Sequence, residues 1–393
     1  MLRMKMMKSN GIKRVDHFWQ GKGKAGPNLL RIFVIFGIIF FGSNTVVVLG
    51  VNLRPLGELE ISPEPEPLQE LWAFCVTEDK LFIIPDYKAG NIKIYEETNE
   101  NKKKSLTQVK IIGKKGYGPG DLARPTFCFY NKNESKFGVL DLGTRKIFLY
   151  DRIGRIDFKL IKEIPCWRGG TDIQLHGDRL FISGFNADPN GKSYHFYYID
   201  LSNDQTTPLL TTFQKFGFKS FEEYEKRSKE MRDIGIGAWF DIYKDYAYFV
   251  WEGNLKITKI NIDTKTINSK PFGTQPSHYV KPYISKKLIE AFHKRNPDQI
   301  RSEKPKMSYV KNIFVTSKYI LLIYEGPIIP GKGSNFILQF YTLDGDFLRE
   351  VPIPGQPDQR MWFDKDRNIL YSLCNKSSQN PEDYFVLKYK IYE

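Results

Sequence analysis

The sequence of 393 residues predicts an all-β fold assembled from repeated units. The chain is rich in aromatic residues, with 22 Tyr and 29 Phe, which favour strands over helices. Short segments along it alternate apolar and polar positions, as half-buried strands require. One strand–turn–strand pattern also recurs, and such an internal repeat is the sequence signature of repeat architectures.

The clearest repeat relates residues 81–97 (LFIIPDYKAGNIKIYEE) to residues 136–152 (KFGVLDLGTRKIFLYDR). The two segments align without a gap, and Asp86 then stands opposite Asp141 at the end of the first strand of each. Both copies alternate apolar residues on either side of a short polar turn. Weaker copies follow, and their corresponding strands end near Gly184, Glu252, Glu325 and Cys374.

The repeats predict a six-bladed β-propeller, because units of roughly 40–50 residues with four strands are propeller blades. The last copy stops after its third strand, so residues 56–62 are predicted to supply its outer strand from the other end of the chain. Such closure removes an exposed sheet edge and ties the termini together. The predicted domain covers residues 54–393.

Two of the copies are lengthened by segments that are predicted to be helical. Residues 219–235 begin with a Ser-x-x-Glu capping box, and residues 284–305 begin near Ser285, a favourable N-cap residue. Both segments are charged and interrupt a regular repeat. They are predicted to be either partner-binding surfaces or a cap that shields one end of the propeller.

The N-terminal segment predicts export. Residues 1–31 contain eight basic residues against one acidic residue, and residues 32–53 form an uncharged, mostly apolar run. About 20 apolar residues span a bilayer, and basic residues ahead of them stay in the cytoplasm. We therefore expect a basic cytoplasmic segment and a transmembrane anchor, with the C-terminal domain outside the cell membrane, periplasmic or extracellular. The alternative is a signal sequence whose cleavage releases a secreted domain.

The excess positive charge does not indicate a nucleic-acid partner. The formal net charge is +14, but half of the surplus precedes the apolar run. A nucleic-acid site would interleave basic residues with a stacking surface on the folded domain. We expect the membrane and a protein or small-molecule ligand as partners, and the sequence does not identify that ligand.

The cysteines predict no metal site. None of the four belongs to a Cys-x-x-Cys pair, which excludes zinc fingers and thioredoxin-like motifs. Three fall within apolar, strand-like runs, which favours buried free thiols over the alternative of disulfide pairing after export. The four are Cys75, Cys128, Cys166 and Cys374.

The glycine-rich stretch GKKGYGPGDLARPT, residues 113–126, has the composition of a phosphate-binding loop. A Walker loop requires Ser or Thr after its lysine and then a helix, and a Rossmann fingerprint also requires a helix after the glycines. Here no Ser or Thr follows a lysine, and Pro125 leads into a strand. The stretch is therefore predicted to be a turn between two blades, which Pro119 makes more rigid.

This stretch, followed by GVLDLGTRKIFLYDRIGRI at residues 138–156, resembles the inter-blade signature of NHL-type propellers, and most of all the bacterial TolB-like six-bladed family. In that family a G-x-G-P-G-(D/E)-(F/L) turn precedes the innermost strand, and Leu122 stands where Phe is commoner. The likeness is specific only within residues 113–155, and it extends over residues 70–390 as architecture. It implies a propeller fold and export, and it brings no agreed activity.

The mouth of the propeller channel is the predicted binding site. The first strand of each blade lines a central channel, and the loops that lead into these strands form one mouth. Aromatic and Arg side chains at such a concave mouth are good ligand anchors, although they can also simply pack between blades. The candidates are Arg124, Asp172, Trp239, Tyr309 and Arg360, with Trp167 and Arg168 nearby.

Enzymatic functions are the alternatives. A Ca²⁺-dependent hydrolase or lyase of the lactonase type would need six or more oxygen ligands in the channel, where only Asp172 is acidic among the candidates. The scattered histidines and the absence of a Gly-x-Ser-x-Gly elbow give no support to other hydrolases. We therefore predict a binding scaffold with no catalytic residues, metal or cofactor. A structural role in envelope assembly is a further alternative.

Overall fold

The computed structural model describes most of the chain beyond residue 51, within one compact unit, Leu49–Glu393. Both predicted helical insertions lie outside the described residues. So does the predicted anchor, except for its last two residues, Asn52 and Leu53. Among the residues described, no helix is long and apolar enough to cross a membrane. The described residues are 52–63, 65–100, 103–166, 170–187, 193–210, 237–251, 253, 255–267, 270–280, 307–327, 335–355, 360–376 and 383–392.

All regular structure in the described ranges is β-strand. The strands, in chain order, are β1 (Asn52–Ile61), β2 (Cys75–Val76), β3 (Leu81–Asp86), β4 (Asn91–Glu100), β5 (Lys103–Ile112), β6 (Pro125–Asn131), β7 (Lys136–Asp141), β8 (Lys146–Arg152), β9 (Phe158–Pro165), β10 (Gly170–His176), β11 (Arg179–Ala187), β12 (Ser193–Asp200), β13 (Thr206–Leu210), β14 (Ala238–Tyr243), β15 (Tyr246–Trp251), β16 (Ile257–Asn261), β17 (Tyr309–Val315), β18 (Tyr319–Glu325), β19 (Phe336–Thr342), β20 (Phe347–Pro352), β21 (Met361–Asp364), β22 (Ile369–Asn375) and β23 (Tyr384–Tyr392).

Consecutive strands pair as antiparallel meanders. Three sheets have four strands each, β6–β9, β10–β13 and β17–β20, and β14–β16 form a sheet of three. The remaining eight strands form one sheet in the order β2-β3-β4-β5-β1-β23-β22-β21. The described part of the chain is therefore all-β, and its four-stranded meanders are consistent with a β-propeller.

The two aligned aspartates accept equivalent hydrogen bonds in the two copies of the repeat. Asp86 ends β3 and accepts hydrogen bonds from Ala89 N (3.1 Å) and Gln69 N (2.9 Å), while Asp141 ends β7 and accepts from Thr144 N (2.7 Å) and Arg124 N (2.9 Å). Each carboxylate thus caps the following turn and fixes the segment that enters the first strand of its own meander. The gapless alignment of the two segments is confirmed.

The predicted closing strand is confirmed. β1 pairs antiparallel with β23, the last strand of the chain, so that Leu59 lies opposite Val386, and its end pairs parallel with β5 at Glu60 and Ile61. The strand is longer than predicted, because it begins at Asn52 rather than at residue 56. The apolar run of residues 32–53 therefore overlaps the first two residues of this strand.

One meander departs from the predicted four strands. Within the described residues the sheet β14–β16 has three strands, and Phe272 exchanges both backbone hydrogen bonds with Ile257 of β16 without extending into a fourth strand. The residues that follow then contact the next meander. Thr274 O accepts a hydrogen bond from Gln339 Nε2 (3.2 Å), and His278 Nε2 lies 2.7 Å from Tyr324 Oη. This segment therefore joins β16, at the edge of its own sheet, to the middle strands β18 and β19 of the next meander.

The hydrophobic core lies between successive meanders. Each of six buried clusters contains side chains of two neighbouring groups of strands; Phe137 of β7, for example, packs with Ile83 of β3. The clusters follow one another along the chain, and one of them joins the last group to the first, with Leu373 of β22 against Phe82 of β3. The meanders are thus held face to face by apolar burial, which is the dominant favourable term in folding.

Candidate functional site

A cavity of about 490 Å³ lies where the first strands of the meanders meet. Its wall contains residues of β2, β6, β10, β14, β17 and β21 and of the turns that follow them. We call this cavity the channel. Its size is within the range of small-molecule sites.

Polar side chains on three neighbouring inner strands tie these strands together. Asp172 of β10 accepts hydrogen bonds from Ile173 N (2.9 Å) and from Phe240 N of β14 (3.2 Å). Asp241 of β14 likewise accepts from Ile242 N (2.8 Å) and from Val315 N of β17 (2.5 Å). Each carboxylate therefore satisfies one backbone donor of its own strand and one of the next strand.

Asn312 continues the same series on β17. Its Oδ1 accepts from Ile313 N (2.9 Å), and its Nδ2 donates to Met361 O of β21 (3.4 Å). The side chains of these three polar residues thus form hydrogen bonds that link β10 to β14, β14 to β17 and β17 to β21. Buried polar groups need such partners, because an unpaired one costs about 1–3 kcal/mol.

The two aspartates differ in their surroundings. Desolvation in the channel wall, with a smaller contribution from the nearby Asp241 carboxylate, raises the pKa of Asp172 to about 8. Its two backbone donors oppose this shift. Asp241 instead has a cation beside it, since Lys365 Nζ lies 2.7 Å from its carboxylate oxygens. Burial therefore favours the protonated form of Asp172, whereas Asp241 has Lys365 as its ion-pair partner.

Two ion pairs cross the channel. The turn after β21 carries Lys365, which reaches Asp241 on β14, and Asp366, which pairs with Lys132 after β6. Neither β6 nor β14 is a direct neighbour of β21 around the channel, because β2 and β17 lie between them. These pairs therefore bridge the end of the channel at which the inner strands finish.

Three predicted site residues lie together in the channel wall. They are Asp172, Trp239 and Arg360. The indole of Trp239 donates to Val310 O (3.1 Å), and the guanidinium of Arg360 donates to Leu71 O (3.3 Å) and lies 5.6 Å from the ring of Tyr384. Their side chains therefore also hold neighbouring strands in place.

Two other predicted site residues, Tyr309 and Arg124, do not line the channel. Tyr309 is buried, and its hydroxyl donates to Met307 Sδ (3.4 Å). Arg124 lines a separate pocket beside the glycine-rich turn, because its guanidinium lies against the ring of Tyr87 (5.9 Å). Trp167 and Arg168 lie outside the described residues.

Sequence reasoning did not select three polar residues of the channel. These are Asp241, Asn312 and Lys365. A usable signal was present for the first two, since Asp172, Asp241 and Asn312 are each followed by Ile near the middle of an inner strand. No comparable signal exists for Lys365, which follows its strand and reaches Asp241 only through the tertiary fold.

The glycine-rich stretch is a turn between β5 and β6, as predicted. Gly113 and Gly120 have φ of 73° and 75°, a backbone region that suits glycine, and the carboxylate of Asp121 accepts from Gly118 N (3.1 Å). Gly120 N donates to Glu163 Oε1 (2.7 Å) on β9. The donors that a phosphate would need are therefore partly used within the protein.

The cysteines match the sequence interpretation. All four cysteines are buried and none is joined in a disulfide, as predicted. Within the described ranges, no group of three or more His, Cys, Asp or Glu side chains is arranged to hold a metal ion.

Comparison with known proteins identifies the fold. No family model and no curated protein matches the sequence. A member of the DUF4221 family from Bacteroides vulgatus is similar in structure, with a TM-score of 0.60 and 13% identity, over 87% of this chain and 99% of that chain. An exported-protein candidate from Bacteroides fragilis is also similar, with a TM-score of 0.54 and 13% identity, over 87% of this chain and 96% of that chain.

At this level of identity the likeness concerns the fold alone. The similarity covers 87% of this chain and nearly all of each neighbour. The class of this protein is therefore the β-propellers.

Proposed function

We propose that this protein is an exported, six-bladed propeller that binds a small ligand in its channel. The observation that carries the proposal is the cavity of about 490 Å³ between six inner strands. In this arrangement β1 completes the sixth blade by pairing with β23, and the segment after β16 continues the fourth through the bridge between Phe272 and Ile257. The repeat and the turn at residues 113–126 support an NHL- or TolB-like type of propeller.

The channel wall suits a ligand that combines a ring with polar groups. Trp72, Trp239 and Trp362 contribute aromatic surface, and Gln174 and Asn133 contribute amides. Aromatic surface with a few convergent polar groups is typical of small-molecule sites. Binding rather than catalysis fits best, because the oxygens of the channel aspartates already accept backbone donors or pair with Lys365.

Export and membrane attachment form part of the proposal. The basic residues 1–31 and the apolar run after them support a signal or an anchor, with the propeller on the outer side of the membrane. A structural neighbour described as an exported-protein candidate supports the same placement. The segments 219–235 and 284–305 remain proposed surfaces for a protein partner.

The test is a ligand screen with a matched pair of channel variants. The full chain is screened against mono- and disaccharides, amino acids and nucleosides by thermal shift and tryptophan fluorescence. Ser317 lines the channel and is exposed, so Ser317→Trp should block the cavity while Ser317→Ala leaves it open. A ligand that binds only the folded state raises the unfolding midpoint by mass action.

We expect at least one compound to raise the midpoint of the wild type and of Ser317→Ala, and to have no effect on Ser317→Trp. A compound that stabilises all three proteins equally binds elsewhere. That result, or a screen without any stabilising compound, would contradict the channel proposal.

A further inference from the structure

A second cavity of about 300 Å³ lies between two turns outside the channel. One wall is the turn between β3 and β4, with Tyr87 and Lys88, and the other is the glycine-rich turn, with Lys115, Tyr117 and Arg124. We call it the seam pocket. It is not a site that the channel proposal uses.

The seam pocket is positively charged. Lys88, Lys115 and Arg124 line it together, and no acidic residue does. Lys115 Nζ donates to Lys88 O (3.1 Å), and the guanidinium of Arg124 faces the ring of Tyr87. Among the described contacts none of the three cations has a carboxylate partner.

Two basic residues near the seam pocket pair with carboxylates, unlike the three that line it. Lys114, next in the chain to Lys115, lies 3.8 Å from the carboxylate of Asp121, and Lys146 lies 2.6 Å from that of Glu163. The seam pocket therefore concentrates uncompensated positive charge, which attracts anions. The planar guanidinium of Arg124 also matches the geometry of a carboxylate or a phosphate.

An exposed aromatic ring stands beside these cations. The side chain of Tyr117 is 77% exposed and makes no described side-chain contact, which is unusual for so large a ring. Tyr87 packs between the ring of Trp72, at 5.7 Å, and Arg124. A ligand that covers the ring of Tyr117 would bury apolar area there.

We propose that the seam pocket binds an acidic saccharide, a sugar ring that carries a carboxylate. The carboxylate would accept hydrogen bonds from Arg124 and the two lysines, and the apolar face of the sugar would stack on Tyr117. Inorganic phosphate would use the cations but not the ring, and a neutral sugar would use the ring but not the cations. The proposal is independent of ligand binding in the channel.

The experiment titrates the full chain with trigalacturonate by isothermal titration calorimetry, with galactotriose as the neutral counterpart. We expect trigalacturonate to bind more tightly, and added salt to weaken it. Arg124→Gln should lower the affinity about tenfold or more, because a charge-assisted bond is lost. Tyr117→Ala should also lower it several-fold, whereas Tyr117→Phe should retain it. Lys159→Gln, an exposed charge change outside the pocket, should have no effect.

Several results would overturn the proposal. They are equal affinity for galactotriose, no binding of trigalacturonate, or unchanged affinity in both Arg124→Gln and Tyr117→Ala. Displacement by inorganic phosphate, together with no effect of Tyr117→Ala, would assign the pocket to phosphate instead. Both side chains are exposed, so their variants should keep the wild-type unfolding midpoint, which the same preparations can verify.

Discussion

Asp86 shows how one residue can hold a repeat unit together. Its side chain is fully buried, and it forms an ion pair with Lys93, also buried, at 3.1 Å. The same carboxylate accepts from backbone donors of the segment that leads to β2 and of the turn after β3. A buried charge that loses its partner costs far more than an exposed one.

We predict that Asp86→Asn destabilises the protein by about 3–5 kcal/mol, since Lys93 would stay buried without its counter-charge. The free energy of unfolding in urea measures this. Asp204→Asn is the matched control, because Asp204 is 60% exposed beside Lys162 and should contribute less than about 1 kcal/mol. Equal losses in the two variants would contradict the structural role of Asp86.

The raised pKa of Asp172 predicts that the stability of the folded protein depends on pH. The pKa of this residue in the folded protein is about 8, whereas in the unfolded chain it is near its ordinary value of about 3.9. Between these values the folded protein holds a proton that the unfolded chain has lost, so this residue lowers stability as pH rises from about 4 to 8.

Asp172→Asn should remove that dependence. We predict that its stability relative to the wild type rises between pH 4 and pH 8 by on the order of 2–4 kcal/mol. Urea unfolding of both proteins across this range isolates the effect, because all other groups titrate in both. A constant difference between the two proteins would show that the pKa of Asp172 is not raised.

Among the strands, β1 has the clearest individual role. It pairs along most of β23 and covers that edge, and at Glu60 and Ile61 it also pairs with the start of β5. Its side chains alternate at the relevant point, since Glu58 is exposed and Leu59 is buried among residues of β3 and β22. The closing strand is therefore held by apolar packing as well as by its backbone ladder.

Leu59→Ala should cost about 2–5 kcal/mol, because it leaves a cavity in a closed core. Glu58→Ala, one residue away on the exposed face, should change stability by less than about 0.5 kcal/mol. Denaturant unfolding of the two variants provides the comparison. Similar effects at the two positions would mean that β1 does not pack as the structure shows.

The whole molecule is organised around its channel, and the contacts there bear on metal binding. Asp172 and Asp241 accept hydrogen bonds from backbone donors of neighbouring strands. The ammonium of Lys365 lies beside Asp241, where it would repel a metal cation. Ca²⁺ takes six or more oxygen ligands, so the channel would have to give up these bonds to hold it.

We therefore predict that millimolar Ca²⁺ leaves the unfolding midpoint of the full chain unchanged, and that a chelator does not lower it. Differential scanning fluorimetry with Ca²⁺, Mg²⁺ and chelator provides the measurement. A clear rise with Ca²⁺ that the chelator reverses would contradict this prediction and favour the lactonase-type alternative.

Much of the fold could be predicted because it depends on local patterns. The copies at residues 81–97 and 136–152 align in the structure as they do in the sequence, since strand alternation and the capping aspartates act within each unit. The closing strand was predictable because an unfinished last unit needs a partner. The contacts that Thr274 and His278 make with the next meander were not, because they involve Gln339 and Tyr324, which are distant in the chain.

The site was less predictable than the fold. The position of each inner strand indicated that Asp172, Trp239 and Arg360 would share a wall, and they do. Arg124, in contrast, stands at an equivalent position but turns toward Tyr87. Which way a side chain turns at the start of a strand depends on its neighbours in space.

The sequence by itself determined an all-β chain of repeated units, a closing strand from the N-terminal side and a glycine-rich turn that is not a nucleotide loop. These follow from periodicity and from turn chemistry, which act between residues close in the chain. Only the tertiary structure decided that Lys365 meets Asp241 across the channel and that Lys88, Lys115 and Arg124 line one pocket with Tyr117. Charge and shape at a site arise from groups that are distant in the chain, and the folded backbone alone brings them together.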